Sequence, residues 1–224
     1  MHFRDLPFGK SNLGEEIQAY ISEDKASKYT YLMAGVHGDE VEGIYVLKNL
    51  FEWLKKNEKI KIPLLIIPLL NVDGYRAHSR VNAKGVDLNR NLPSKHWTSE
   101  AREEKYYPGT APLSEPENKF LVKLFEKYPP KFILSFHSWK PMLNYNGNCK
   151  EIAEFLSKYN GYPPVGVIED YPTPGSLGEY GPEVLKSPVL TWECPLISET
   201  KGLKEIWEES RLSLENLFNS TLLS

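Results

Sequence analysis

Residues 35 to 43 read GVHGDEVEG, which sets His37, Asp39, Glu40 and Glu42 close together directly after the apolar run YTYLMA. An imidazole and a carboxylate separated by two residues, as His37 and Glu40 are, can bind one ion from a single turn. A catalytic zinc typically takes three protein ligands and leaves one position for water, and two histidines with one glutamate form a recognised set. His137, at the end of KFILSFH, can supply the third ligand. Each residue also has a plainer reading. Acids that follow a strand can complement the dipole of a helix start, and a lone histidine can be a core residue bonded to a backbone carbonyl.

A second stretch, SRVNAKGVDLNRNLP at 79 to 93, concentrates Arg80, Asn82, Asn89, Arg90 and Asn91 around Gly85. Arginine offers a planar fork that matches a carboxylate, and a neighbouring asparagine adds a neutral donor. Asn89 and Arg90 therefore read as holding an anionic group of a substrate, and Asp87 and Asn91 as holding the loop itself. Glu193 lies at the end of the apolar run SPVLTWE, beside Trp192, Cys194 and Pro195. A carboxylate there needs a partner, because an unpaired buried charge is expensive. It reads either as a general base toward water or as a salt bridge at a sheet edge.

The elements that must position these residues follow from periodicity. Four apolar runs have strand character: YTYLMAGV, IPLLIIPLL, KFILSFH and SPVLTWE. Helical stripes run through Val41, Ile44, Tyr45, Phe51 and Leu54, through Phe120, Leu121, Leu124 and Phe125, and through Ile152, Phe155 and Leu156, with a closing amphipathic helix from Gly202 to Asn219. SEPE at 114 to 117 predicts a capping box, Ser114 at the N-cap and Glu117 reaching back, for a helix that ends near Tyr128. The polar stretch 71 to 116, rich in Gly, Pro, Asn and Arg, predicts a functional loop region. Alternating strands and helices predict an α/β fold, a three-layer sandwich with a mixed, largely parallel sheet flanked by helices, and one domain over residues 1–224. His37, Asn71, His137 and Glu193 each follow or close a strand run, so they can converge on the carboxyl rim of such a sheet.

Composition narrows the function classes. With 41% hydrophobic residues, 25% charged residues and a formal charge of −3, the chain has no basic excess to hold a nucleic-acid backbone. IPLLIIPLL is too short for a membrane span and carries two prolines. MHFRDLPFGK lacks the apolar core of a signal peptide, and Cys149 and Cys194 are too few for a disulfide framework. The expectation is a cytoplasmic protein with reduced thiols, binding neither nucleic acid nor membrane.

GVHGDE, RVNAKGVDLNRN, SEPE, SFH, YPTPGS and TWE follow one another in an order and spacing that resembles the zinc carboxypeptidases of the carboxypeptidase A type. Within them, GVDLNRN and TPGS resemble the bacterial murein peptide amidase A branch, and the likeness runs from about Phe8 to Glu193. The resemblance implies one zinc per chain held by His37, Glu40 and His137, Glu193 as catalytic acid/base, and Arg80 polarising the scissile carbonyl. It further implies Asn89 and Arg90 on the substrate carboxylate and Tyr171 as a lid tyrosine, a role for which Tyr180 competes. Leu177 falls where the side-chain pocket is lined. Asp39 is expected beside a ligand or on the helix N-terminus, and Glu42 on the solvated face. The implied reaction is hydrolysis of the γ-D-glutamyl to meso-diaminopimelate amide of murein tripeptide in cell-wall recycling. The alternatives are removal of an aromatic or aliphatic C-terminal residue, which Leu177 would suit, deacylation of an N-acyl amino acid, or capture of wall fragments without cleavage. Ser138 and Trp139, after His137, bear on specificity.

Overall fold

The four apolar runs form the centre of an eight-stranded sheet in the computed structural model, which describes residues 1–23, 25–168 and 171–223. They give β5 (Tyr29–Ala34), β6 (Leu64–Ile67), β7 (Pro130–Trp139) and β10 (Val189–Pro195), parallel to one another in the order β6-β5-β7-β10. Short flanking strands extend both edges. β1 (Phe3–Asp5) and β4 (Tyr20–Ser22) lie beyond β6, and β8 (Met142–Asn146) and β9 (Pro164–Val165) lie beyond β10. The β1/β4, β4/β6 and β8/β10 pairs are antiparallel, so the sheet is mixed. A separate ribbon pairs β2 (Gly9–Lys10) with β3 (Glu16–Ile17).

The central strands are largely apolar on both faces because both faces are covered. Leu32 and Ala34 of β5 pack with Val46, Leu47 and Leu50 of α1 (Val41–Lys55), together with residues of α4 (Lys150–Asn160) and α6 (Leu203–Asn219). Tyr31 and Met33 pack on the other face with Leu121 and Phe125 of α3 (Pro116–Lys127) and with Tyr180 of α5 (Leu177–Tyr180). The result is the three-layer sandwich the alternation predicts. Stretch 71 to 116 is not uniformly irregular. It holds α2 (Val72–Ala77), capped by Asn71 Oδ1 on the Gly74 amide at 2.9 Å, and 3₁₀ turns at Leu88–Arg90 and Glu104–Tyr106.

The capping box expected at SEPE does not form. Pro116 occupies the first turn, Glu115 is the N-cap residue, and no side chain caps the helix. Ser114 Oγ instead donates to Glu115 and accepts from Asn91, while Glu117 accepts from the Asn12 amide and from Asn82 Nδ2. These long-range bonds outcompete the local one, since buried carboxylates must be satisfied wherever donors exist. Among the described residues no helix is long and apolar enough to cross a membrane.

Candidate active site

At the carboxyl end of β5 the chain turns at Gly35, whose φ of +64° favours glycine, and delivers His37. Gly38 follows under a second constraint, because a Cβ there would collide with the backbone of Gly74 and Tyr75. The turn is held by the Asn71 amide on Gly35 O (2.7 Å) and by the Gly38 amide on Arg80 O (3.4 Å). Asn71 Nδ2 also donates to Arg80 O. Asn71 thus supports the site without facing it. β7 carries His137 and β10 carries Glu193, which stand opposite each other in the parallel register.

His37 Nδ1 lies 2.7 Å from Glu40 Oε1, His137 Nδ1 lies 2.8 Å from Glu40 Oε2, and the two Nδ1 atoms are 3.2 Å apart. One ligand atom from each residue falls within 4.8 Å of the others. Two imidazole nitrogens and a carboxylate aimed at one point are a donor set suited to a borderline-soft cation such as zinc. His37 Nε2 lies 3.1 Å from Asp87 Oδ1, an acceptor for the Nε2 proton, so that Nδ1 is the nitrogen turned to the cluster. The Ser138 amide donates to Glu40 Oε2 at 3.2 Å, and Ser138 Oγ accepts from the Gly43 amide at 3.1 Å, so Ser138 orients Glu40 and the start of α1.

The charges are mutually dependent. Burial disfavours charge on His37, but Glu40 and Asp87 override it and lift its pKa to about 9. Burial likewise works against ionised Glu40, yet His37 and His137 hold its carboxyl well below the usual range. Asp87 is held down in the same way by His37 and Arg80. Glu193 differs: burial raises its pKa to about 7, the neighbouring histidines only partly opposing the rise, and its Oε2 is buried without a hydrogen-bond partner among the described residues. An orphaned, easily protonated carboxylate beside a cation-binding cluster is suited to exchanging a proton with water.

Arg80 donates through Nε and Nη2 to Asp87 Oδ2 at 3.1 and 2.9 Å, leaving Nη1 on the Glu40 side, 3.6 Å from Oε1. Asp87 therefore does more than hold its loop. It bridges His37 and Arg80 while also accepting from the Asn89 amide at 2.8 Å. Asn89 Oδ1 accepts from the Leu177 amide at 2.9 Å, which turns Nδ2 into its free donor. Arg90 is buried, its Nη1 bonded only to Asn89 O, and no carboxylate among the described residues lies within 4.0 Å of its guanidinium. Burial lowers its pKa, opposed by the more distant Asp87. Asn91 does hold its loop, through Pro108 O, Ala111 O and Ser114 Oγ.

A cavity of about 350 Å³ joins these groups, lined by His37, Glu40, Arg80, Asn89, Arg90, His137, Tyr171 and Glu193. Asp39 reaches it from the exposed rim, its carboxyl raised by partial burial and by Glu40. Tyr171 bonds Tyr106 Oη at 2.9 Å and stacks on Trp139 at 5.6 Å. Tyr180, the competing tyrosine, is buried against Phe125.

Two expectations are corrected. Leu177 is buried in the core and contributes only its amide; its neighbour Gly178 faces the cavity, with Asn144, Asn146 and Thr191. Ser176 caps α5 through the Glu179 amide, and the helical turn so started directs Leu177 inward. Glu42 is not solvated. It is buried, with Oε1 accepting from the Ile197 amide at 2.8 Å, because the chain leaving β10 crosses the start of α1. Tyr106 carries no spacing signal in the sequence, and the polar Asn144 and Asn146 lie on a short strand too polar for the apolar pattern to reveal.

Similarities to known proteins agree with this geometry. The chain is 31% identical to murein peptide amidase A of Vibrio campbellii over 202 residues, 85% of this chain and 79% of that protein. It is 29% identical to murein peptide amidase A of Escherichia coli K12 over 206 residues, 87% and 83% of the two chains. The crystal structure of murein-tripeptide amidase MpaA from Escherichia coli O157 aligns with a TM-score of 0.79 at 26% identity, covering 98% of this chain and 92% of that one. Residues 4–169 match the model of the zinc carboxypeptidase family, and the chain belongs to that family of metallopeptidases.

Proposed function

We propose that the protein is a one-zinc amidase that hydrolyses the γ-D-glutamyl to meso-diaminopimelate bond of murein tripeptide. One observation carries the reading: a single cavity joins a His-Glu-His donor set, an unpartnered Glu193 and an Arg90 that lacks an acid within reach. Zinc held by His37, Glu40 and His137 would supply a Lewis acid that acidifies water and polarises the scissile carbonyl. Glu193 takes the proton of the attacking water and returns it to the leaving amine. Arg80, fixed by Asp87, presents Nη1 to the oxyanion as charge develops there. Arg90 and Asn89 Nδ2 hold the carboxylate next to the scissile amide, so that an acid group completes the buried guanidinium.

Asn144, Asn146, Thr191 and Gly178 favour a polar side chain in the adjoining space. They match the zwitterionic end of diaminopimelate better than the aromatic or aliphatic residue of the carboxypeptidase alternative, and the relatives' names point the same way. The presence of Glu193 weighs against capture without cleavage. Incubating the zinc-loaded protein with murein tripeptide beside dipeptides ending in phenylalanine or leucine, with products read by mass, tests the assignment. Release of free diaminopimelate supports it. Cleavage of the dipeptides alone would replace it with the carboxypeptidase reading.

A further inference from the structure

Tyr106, at the cavity wall, is faced by four cations. Arg80 and Arg90, which line the cavity, stand 5.2 and 5.4 Å from its ring centre. Arg102 and Lys105 stand 4.6 and 5.0 Å from it, and Arg102 also lies 4.0 Å over the ring of Tyr171. Arg80 is neutralised by Asp87, and Arg90 suffices for one substrate carboxylate. Arg102 and Lys105, the latter also lining the cavity, remain in excess. No carboxylate among the described residues lies within 4.0 Å of Arg102, and the only one within that distance of Lys105 is the exposed Glu103 at 3.1 Å, an ion pair worth little in water. Stacking on tyrosine fixes the plane of a guanidinium while leaving its edge open to an anion, and a cleft of one sign gathers oppositely charged ligands.

We propose that Arg102 and Lys105, supported on the Tyr106–Tyr171 pair, form a second anion subsite that takes a carboxylate on the acyl side of the scissile amide. This rests on the amidase reading, in which the γ-linkage leaves the α-carboxylate of the D-glutamyl residue free. The subsite distinguishes substrates bearing that charge from those in which it is masked as an amide.

The test compares γ-D-glutamyl-meso-diaminopimelate with the same peptide amidated at the glutamyl α-carboxylate, both in kcat/KM and in equilibrium binding to Glu193→Gln protein. The free acid should be preferred by about tenfold or more, and the ratio should fall toward one when Arg102→Gln and Lys105→Gln are combined. An undiminished ratio in the double variant overturns the proposal, including the case in which both peptides weaken equally, as a purely supporting role behind Tyr171 would produce. If neither peptide is cleaved, the amidase reading fails and binding alone decides. A preference for the free acid that the double variant loses supports the subsite, and equal binding of the two peptides overturns it.

Discussion

The wall of the cavity that holds His37, Glu40, His137 and Glu193 is built from the turn between β5 and α1 and from β7 and β10, whereas the wall that holds Asn89, Arg90, Tyr106 and Tyr171 is built from 3₁₀ turns and loop. On the first wall the side chains are tied to one another, Glu40 to both histidines and the Ser138 amide, His37 to Asp87 and Asp87 to Arg80, while Glu193 Oε2 is left without a hydrogen-bond partner among the described residues. On the second, Arg90 has one backbone acceptor, and the tyrosines meet each other through single hydroxyls. On the proposed reading, the groups that bind a metal and move a proton sit on the sheet and on the turn that leaves it, and those that recognise substrate sit where a loop can vary without disturbing the core.

Four changes sharpen or break that division, in order of expected effect. His137→Ala removes a donor from the rigid wall and should abolish both zinc binding and turnover; elemental analysis showing one zinc per chain in that variant would refute the ligand assignment. Arg90→Ala acts on the loop wall. It should leave zinc in place and cost about a hundredfold in kcat/KM, because a charge-assisted carboxylate contact is lost. The same variant should discriminate far less between free-acid and amidated forms of the residue released. Gly178→Ala intrudes on the polar side of the cavity, where a Cβ would lie 3.0 Å from Asn146 Nδ2. A single added carbon in a specificity pocket supports a loss of about tenfold on the diaminopimelate substrate, read as kcat/KM. Glu42→Ala touches neither wall and should lower stability by about 1–3 kcal/mol in denaturant titration, since it orphans the Ile197 amide.

The first wall is also the more legible in sequence. His37, His137 and Glu193 each have a plainer reading alone, but all three follow or close apolar strand runs, and a parallel sheet gathers such positions at one rim. Asp87 was visible as a loop-former, but its bond to His37 spans fifty residues of sequence and has no local signature. Glu42 fails for the same reason, its partner Ile197 lying 155 positions away. Leu177 and Gly178 differ by one place in a short helix, and only the cap at Ser176 decides which of them meets the cavity. Ser114 shows the reverse case, a strong local motif overruled by the distant donors Asn12, Asn82 and Asn91. The flanking strands Tyr20–Ser22 and Met142–Asn146 are short and partly polar, so periodicity does not mark them.

The central claim is that the rigid wall performs metal-assisted hydrolysis with Glu193 as its proton carrier. The most direct measurement is zinc content and turnover of Glu193→Gln on the same preparation. Retention of one zinc per chain with turnover reduced about 100-fold to 10,000-fold is expected, because an amide cannot accept the proton of water. Wild-type turnover in that protein would contradict the account and return Glu193 to a structural role.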